Sequence, residues 1–301
     1  MLHPVAPGDL VAVTRLHDEV EAVDGHASLG EAVWRDLDRP VDERSAGVLA
    51  TDDSERAVGY AHVFRSDNES PPHWVAGVVV HPDHRAGDVE HALLDQAVAY
   101  AGAAAGDLVV LWIFDPEARD DRAAERAGFR HQRDLLQLRV PLPIAETPAW
   151  PPDVEVRPFA PGRDDTPWLE VNNRAFADHP EQGGWDVETL RRRLAEPWFD
   201  PKGFLLAFDG DGLAGFCWTK VHPPTSTDAE LGEIFVIGVD PSRQGSGLGR
   251  ALVLGGLASL AERGVSTGML FVDAANEAAV RLYASLGFTT ARVDRAYERT
   301  V

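Results

Sequence analysis

Val78-Val79-Val80-His81-Pro82 and Ile237-Gly238-Val239-Asp240-Pro241 share one local pattern, an apolar run closed by a polar residue and a proline. The two prolines stand 159 residues apart, and Gly128-Phe129 and Gly287-Phe288 repeat at the same spacing. Two anchors at one offset, with no gap between them, mark an internal duplication. Each half must then build the same order of elements around its own core. The 301 residues suffice for two domains of ordinary size. Between the halves, Pro141 to Pro152 is proline-rich and lacks helical or strand periodicity, so it reads as an extended linker. The expected organisation is a first domain over residues 1–140, a linker over 141–152 and a second domain over 153–301.

In the second half, periodicity predicts helices over Trp168 to Phe176 and Val187 to Ala195. Strands follow over Phe204 to Phe208 and Gly215 to Lys220, joined by the turn Asp209-Gly210-Asp211-Gly212. A long strand covers Glu230 to Val239, a helix Gly247 to Arg263, and a strand Met269 to Asp273. Asn276 to Leu286 is a short helix stopped by Gly287, and a last strand closes the chain. The fold class is α/β: in each half, a mixed, mostly antiparallel sheet flanked by helices.

After Val239 comes Gln244-Gly245-Ser246-Gly247-Leu248-Gly249-Arg250, a glycine-rich loop between a buried strand and an apolar helix. This geometry aims backbone N–H groups and a positive helix end at one place, which suits an anionic phosphate. The net charge of −21 leaves no basic face for nucleic acid or an anionic membrane, and favours a small cationic substrate such as an amine. Solubility accounts for most of that acidity. The N-terminus lacks the basic and apolar regions of a signal peptide, and no apolar run approaches a membrane span. The single cysteine, Cys217, excludes an internal disulfide and a cysteine metal cluster. A cytoplasmic monomer without a metal is expected. Only two lysines occur, Lys202 and Lys220.

The strand, the glycine loop, the helix opened by Asn276 and the ending Tyr283-Ala284-Ser285-Leu286-Gly287-Phe288 together resemble the GNAT acyltransferases. Their Q/R-x-x-G-x-G/A loop binds the pyrophosphate of acetyl-CoA. A narrower resemblance, to the mycothiol synthase family, runs the length of the chain and is closer in the second half. It lies in the tandem arrangement, in Asn172 to Phe176, in His179 to Trp185, in Gly215 to His222, and in Gly232-Glu233 ahead of Val236 to Pro241. That resemblance implies acetyl transfer from acetyl-CoA to the cysteinyl amine of 1D-myo-inositol 2-(L-cysteinylamino)-2-deoxy-α-D-glucopyranoside (Cys-GlcN-inositol), the last step of mycothiol formation in actinobacteria.

On this reading Gly245, Gly247 and Gly249 let the backbone approach the pyrophosphate, with Gln244, Ser246 and Leu248 completing the loop. Arg250, with Arg243 and Arg281, offers cations to the polyanion. Ile237, Gly238 and Val239 present strand N–H groups to the pantetheine arm and the thioester carbonyl. Asn276, Glu277, Ala278, Ala279, Val280 and Arg281 line the other side.

The resemblance implies that Glu233 is the general base. An ordinary glutamate, at about 4.3, is a poor base toward an ammonium of about 8, so burial or a water relay must help. A structural salt bridge is the plainer alternative. The resemblance also makes Tyr283 the acid for the departing thiolate, against the plainer reading of a tyrosine packed under the sheet. Glu31, Glu181 and Lys220 match positions that contact the sugar and inositol hydroxyls, beside Glu233. Where the family tends to have tyrosine this chain has Phe271, so one hydroxyl contact is lost or supplied elsewhere.

The 159 offset places Trp74 at the position of Glu233 and Ala124 at that of Tyr283. It places Arg85, Asp88 and Glu90 at those of Gln244, Gly247 and Gly249. Neither Trp74 nor Ala124 moves a proton, and two carboxylates oppose a polyanion. The first half is therefore expected to be catalytically inactive, contributing Glu31. Val78, Val79 and Val80, its counterpart of the cofactor strand, would bind acetyl-CoA weakly or not at all. Two other readings are a tandem acetyltransferase for another amine, such as an aminoglycoside or a peptide N-terminus, and a non-catalytic acyl-CoA sensor. Loss of Glu233 and Tyr283 would be the mark of a sensor, and both are present.

Overall fold

The computed structural model describes residues 1–5, 9–37, 43–66, 72–85, 87–104, 108–177, 182–225 and 228–301. In the first half these form β1 (Leu2–Pro4), α1 (Leu10–Asp24), α2 (Glu31–Leu37), β2 (Ser45–Thr51), β3 (Ala57–Ser66) and β4 (His73–Val80). α3 (Val89–Ala103), β5 (Leu108–Phe114), α4 (Ala118–Arg126) and β6 (Arg130–Pro141) follow. The second half runs β7 (Glu155–Pro158), α5 (Asp165–Ala175), α6 (Val187–Leu194), β8 (Phe204–Asp209), β9 (Gly212–His222) and β10 (Leu231–Val239). It ends with α7 (Leu248–Glu262), β11 (Thr267–Asp273), α8 (Glu277–Ser285) and β12 (Thr289–Thr300). From α3 onward, each element of the first half has a partner that starts and ends 159 residues later. The duplication seen in two short motifs thus extends through α3, β5, α4 and β6.

The chain divides into two units whose borders differ from those expected at 140 and 153. One holds Met1–Leu136, Asp273–Ala275 and Arg292–Val301, and the other Gln137–Val272 and Asn276–Ala291. The last strand explains the difference. Asp294 to Thr300 of β12 pairs antiparallel with Phe114 to Leu108 of β5, and Ala296 and Tyr297 are buried there. The segment 141–152 belongs to the second unit: the Leu142 N–H donates to the Ser266 carbonyl, and the Trp150 ring lies where a Cβ on Gly255 would fall. The half-buried Trp150 ring against α7 helps to hold this stretch down.

In the first unit the order is β1-β2-β3-β4-β5, with the end of β12 beside β5. Among the described pairings of β1 to β5 and of β12 with β5, β4 and β5 alone run parallel. In the second it is β7-β8-β9-β10-β11, again with one parallel pair, β10 and β11. Each sheet has a core on both faces. In the second unit Trp168, Phe204, Phe216 and Trp218 fill one face, with Phe204 and Trp218 stacked at 4.4 Å. On the other face Cys217, Thr219 and Ile234 meet Gly256 of α7, where a Cβ would lie 2.5 Å from the Cys217 sulfur. Among the described residues, no helix is long and apolar enough to cross a membrane.

Candidate active site

Successive side chains of a strand point to opposite faces, so Phe216, Trp218, Lys220 and His222 of β9 share one face. The register sets Glu233 of β10 directly opposite Lys220, and Leu231 opposite His222. Glu233 and Lys220 are both buried, at 8% and 7% exposure. The Lys220 Nζ lies 5.1 Å from the Trp198 ring centre and 5.9 Å from that of Phe235, a cation held over two aromatic faces. The His222 Nε2 is 2.6 Å from the Glu233 Oε2. Glu233 is thus a buried carboxylate with an imidazole partner and a lysine in register, an arrangement the bare sequence did not reveal for His222. The signal was present in the i, i+2 spacing of Lys220 and His222.

The strand changes character just past Glu233. β10 and β11 are paired only at Gly232–Gly268 and Glu233–Met269, so the parallel strands part directly after the carboxylate. On its other edge β10 carries a bulge between Ile234 and Val236. The extra residue, Phe235, turns Val236 onto the aromatic face opposite Trp218 and Ile237 onto the α7 face opposite Cys217. Beyond the bulge Ile237, Gly238 and Val239 pair with β9 alone among the described strands, leaving their other edge toward the opened side. Those are the residues expected to receive pantetheine. Phe271 lies half-buried on β11, two residues past the last paired position.

At the end of β10, Asp240 accepts from the Ser242 N–H and hydroxyl and from Arg174 of α5 at 2.9 and 2.7 Å. Burial alone would raise its carboxyl, but Ser242 and Arg174 outweigh it and hold it at about 2. The loop then needs two left-handed residues, Gly245 (φ +79°) and Gly247 (φ +86°), the latter serving as the N-cap of α7. Glycine as cap offers no side-chain acceptor, and the contact of the first turn that is made, from the Leu248 N–H to the Ser246 hydroxyl, is long at 3.4 Å, so the helix N-terminus remains open to an anion. A Cβ at Gly249 would come no nearer than 3.8 Å to any atom, so packing does not demand glycine there.

All three arginines expected to serve the polyanion are already engaged. Arg243 binds Asp209 and Asp211, each at 2.5 Å, and Arg281 binds Glu277 at 2.9 Å. Arg250 forks onto both oxygens of Glu146 at 2.8 and 2.6 Å and donates to the Ser285 hydroxyl.

Asn276 caps α8 by accepting from the Ala279 N–H, and Glu277, Ala278, Ala279, Val280 and Arg281 form its first turns. Tyr283, on the same helix, is 7% exposed with its ring 5.6 Å from Phe288. Burial, with the Cys217 thiol adding to it, pushes its phenol up to about 12. Of the residues expected to contact the substrate, Glu31 opens α2 in the first unit and pairs with Arg35 at 2.9 Å. Glu181 lies outside the described residues. Away from this site, His17, Asp18 and Glu21 of α1 bring metal-type ligand atoms within 4.8 Å of one another, a group of three not repeated elsewhere among the described residues.

In the first unit the corresponding place is built differently. Trp74 and Ala124 are core residues, at 2% and 0% exposure. The β4–β5 ladder runs to Gly77–Trp112, three residues further than its counterpart, and β3–β4 has no bulge. A cavity of about 360 Å³ remains, lined by Val78, Val79, Val80, Arg85, Glu90 and Asp120 among others. Arg85 forks onto Asp24 at 2.9 and 2.5 Å and its Nε donates to the Val80 carbonyl, so its charge is spent across the strand end. Glu90 is pushed up to about 7 by burial and then by the Asp120 carboxylate.

The opened parallel pair, the bulged strand and the glycine-capped helix after a glycine loop are the features of an acyl-CoA-dependent acetyltransferase. The chain belongs to the acetyltransferase (GNAT) family, which it matches twice, over residues 13–129 and 168–288. Among its relatives is the mycothiol acetyltransferase of Thermobispora bispora, 44% identical, with 97% of each chain covered. Those of Acidimicrobium ferrooxidans (43%, covering 95% of this chain and 92% of the relative) and Streptomyces coelicolor (41%, 98% and 93%) are similar in extent. Among solved structures, a GCN5-related N-acetyltransferase from Sphaerobacter thermophilus aligns over 100% of this chain and 95% of its own, with TM-score 0.79 and 24% identity. A tandem GNAT protein from the clavulanic acid biosynthesis pathway aligns over 100% and 98%, with TM-score 0.74 and 17% identity. These structures bear on the fold alone.

Proposed function

We propose that the second unit transfers the acetyl group of acetyl-CoA to the cysteinyl amine of Cys-GlcN-inositol, completing mycothiol in the cytoplasm as a monomer, and that the first unit takes no part in the chemical step. The observation that carries this reading is the place of Glu233. It is a buried carboxylate at the last paired position before β10 and β11 separate, so proton acceptor and opened strand edge meet at one point. Ile237, Gly238 and Val239 would polarise the thioester carbonyl through backbone N–H groups. The loop Gln244 to Arg250 and the start of α7 would hold the pyrophosphate, which fits the open space around Gly245 and Gly247.

Glu233 draws one proton from the substrate ammonium and frees the nitrogen lone pair. The nitrogen then bonds to the thioester carbon, and the carbon–sulfur bond breaks. Of the two protons the ammonium loses, one is balanced by the thiol of released CoA and the other goes to solvent. Tyr283, with its phenol pushed up to about 12, stays protonated at working pH and donates from Oη to the departing sulfur. It is a weaker acid than a thiol of about 8.5, so it acts chiefly as a hydrogen-bond donor while charge builds on sulfur. Lys220, with Glu181 and Phe271, would read the sugar and inositol.

Acetyl transfer to Cys-GlcN-inositol, free cysteine and an aminoglycoside tests the reading. A preference of at least a hundredfold in kcat/KM for the first is expected, and equal activity on all three rejects it. Glu233→Gln should lower kcat by roughly 10²-fold or more and Tyr283→Phe by roughly tenfold, while Trp74→Phe leaves kcat unchanged.

A further inference from the structure

We propose that His222 is a positioning residue for this transfer: its neutral imidazole fixes the Glu233 carboxylate for the amine, and its protonation switches the base off. His222 acts through Glu233, so the inference rests on the reading of Glu233 as the base.

Three observations carry it. The His222 Nε2 lies 2.6 Å from the Glu233 Oε2, the short contact of a charge-assisted hydrogen bond. The ring occupies the diagonal position across the β9–β10 register, which leaves the directly opposite position to Lys220. Its side chain is 28% exposed against 10% for Glu233, so the imidazole is the solvent-facing end of the pair.

With Nε2–H donating to Oε2, the other oxygen of Glu233 is left for the amine, and the carboxylate cannot rotate away from the opened strand edge. Once the ring also takes a proton at Nδ1, the adjacent imidazolium stabilises the carboxylate and weakens it as a base. Other charged groups around the pair are Lys220 in register on β9, Arg193 of α6 with its guanidinium 6.0 Å from the Phe235 ring, and Glu230 just before β10. None of these is an imidazole, the side chain whose ordinary value lies within the assay range.

The test is kcat against pH from 5 to 9 at saturating acetyl-CoA and amine, for wild type, His222→Gln and His222→Ala. Glutamine keeps a donor near the Nε2 position but does not ionise. His222→Gln is expected to hold kcat at pH 8 within about threefold of wild type and to move the acidic limb at least one unit lower. His222→Ala is expected to lose roughly 10- to 100-fold in kcat with the Kd for acetyl-CoA unchanged. The amine's own titration is common to all variants, so a difference between limbs isolates the enzyme group. A His222→Gln limb coincident with wild type overturns the proposal, whether or not the alanine variant folds, and so does a wild-type kcat for His222→Ala. Glu233→Gln separates the two levels. Full activity there removes the base itself, whereas impaired Glu233→Gln with an unmoved His222→Gln limb leaves the base standing and removes His222.

Discussion

Glu90 stands where the second unit has Gly249, and this single exchange alters what the first unit can hold. Its carboxyl is pushed up to about 7 because it is buried and faces Asp120, so the folded chain binds a proton there more tightly than the unfolded chain, at 4.5. The stability this contributes is fully present below 4.5 and is lost as pH rises through 7. Glu90→Gln should therefore be more stable than wild type at pH 8, by on the order of 3 kcal/mol at most, and so melt higher, with the gap closing toward pH 5. A difference in melting temperature that does not vary with pH would remove Glu90 as its source. The same desolvation opposes a pyrophosphate in that cavity. Trp74 and Ala124 stand at the positions matching Glu233 and Tyr283, and both are buried in the core of the first unit.

At the scale of elements, β10 differs from β4 by a bulge and an earlier parting from its parallel neighbour, and these create the opened edge. The loop that follows is held by ion pairs rather than left bare. Arg250 and Glu146 are each about one-third to one-half exposed, so their pair is easily exchanged for another anion. If Arg250 serves the phosphates, Glu146 competes with them. Glu146→Gln should then tighten acetyl-CoA binding by roughly two- to fivefold at low salt, an advantage that fades as ionic strength rises. Titration calorimetry at two salt concentrations reads this out, and a weaker or unchanged Kd places Arg250 outside the phosphate site.

At the scale of the whole molecule, the chain end is core to the unit that begins the chain. Tyr297 is 2% exposed among Val109, Leu111 and Phe129, and its strand covers the edge of β5. Tyr297→Ala should cost about 3–5 kcal/mol, the usual toll for truncating a buried aromatic. Hydrogen exchange should place the lost protection in β4 and β5. Loss in β10 and β11 instead would assign the strand to the other unit.

Much of this was legible in the chain itself. Periodicity and glycine punctuation marked the strands and helices from α5 onward to within a few residues, because each is local, but missed the four-residue strand β7. Two motifs at one spacing revealed the duplication, and Glu233, Lys220 and Tyr283 stood out by type and position. The partner of Glu233 did not, since cross-strand neighbours depend on register, which a bulge at Phe235 resets. Nor did the occupied state of Arg243 and Arg250, whose carboxylates come from 32 to 104 residues away. The expected border at 153–301 also differed, because a strand completes whichever sheet edge offers unpaired backbone groups. Sequence determined which elements form and which residue types are available to the site. Tertiary structure decided which strands part, which charges are already spent, and where the last strand is buried, since hydrogen-bond pairing and burial are settled between segments remote in the chain.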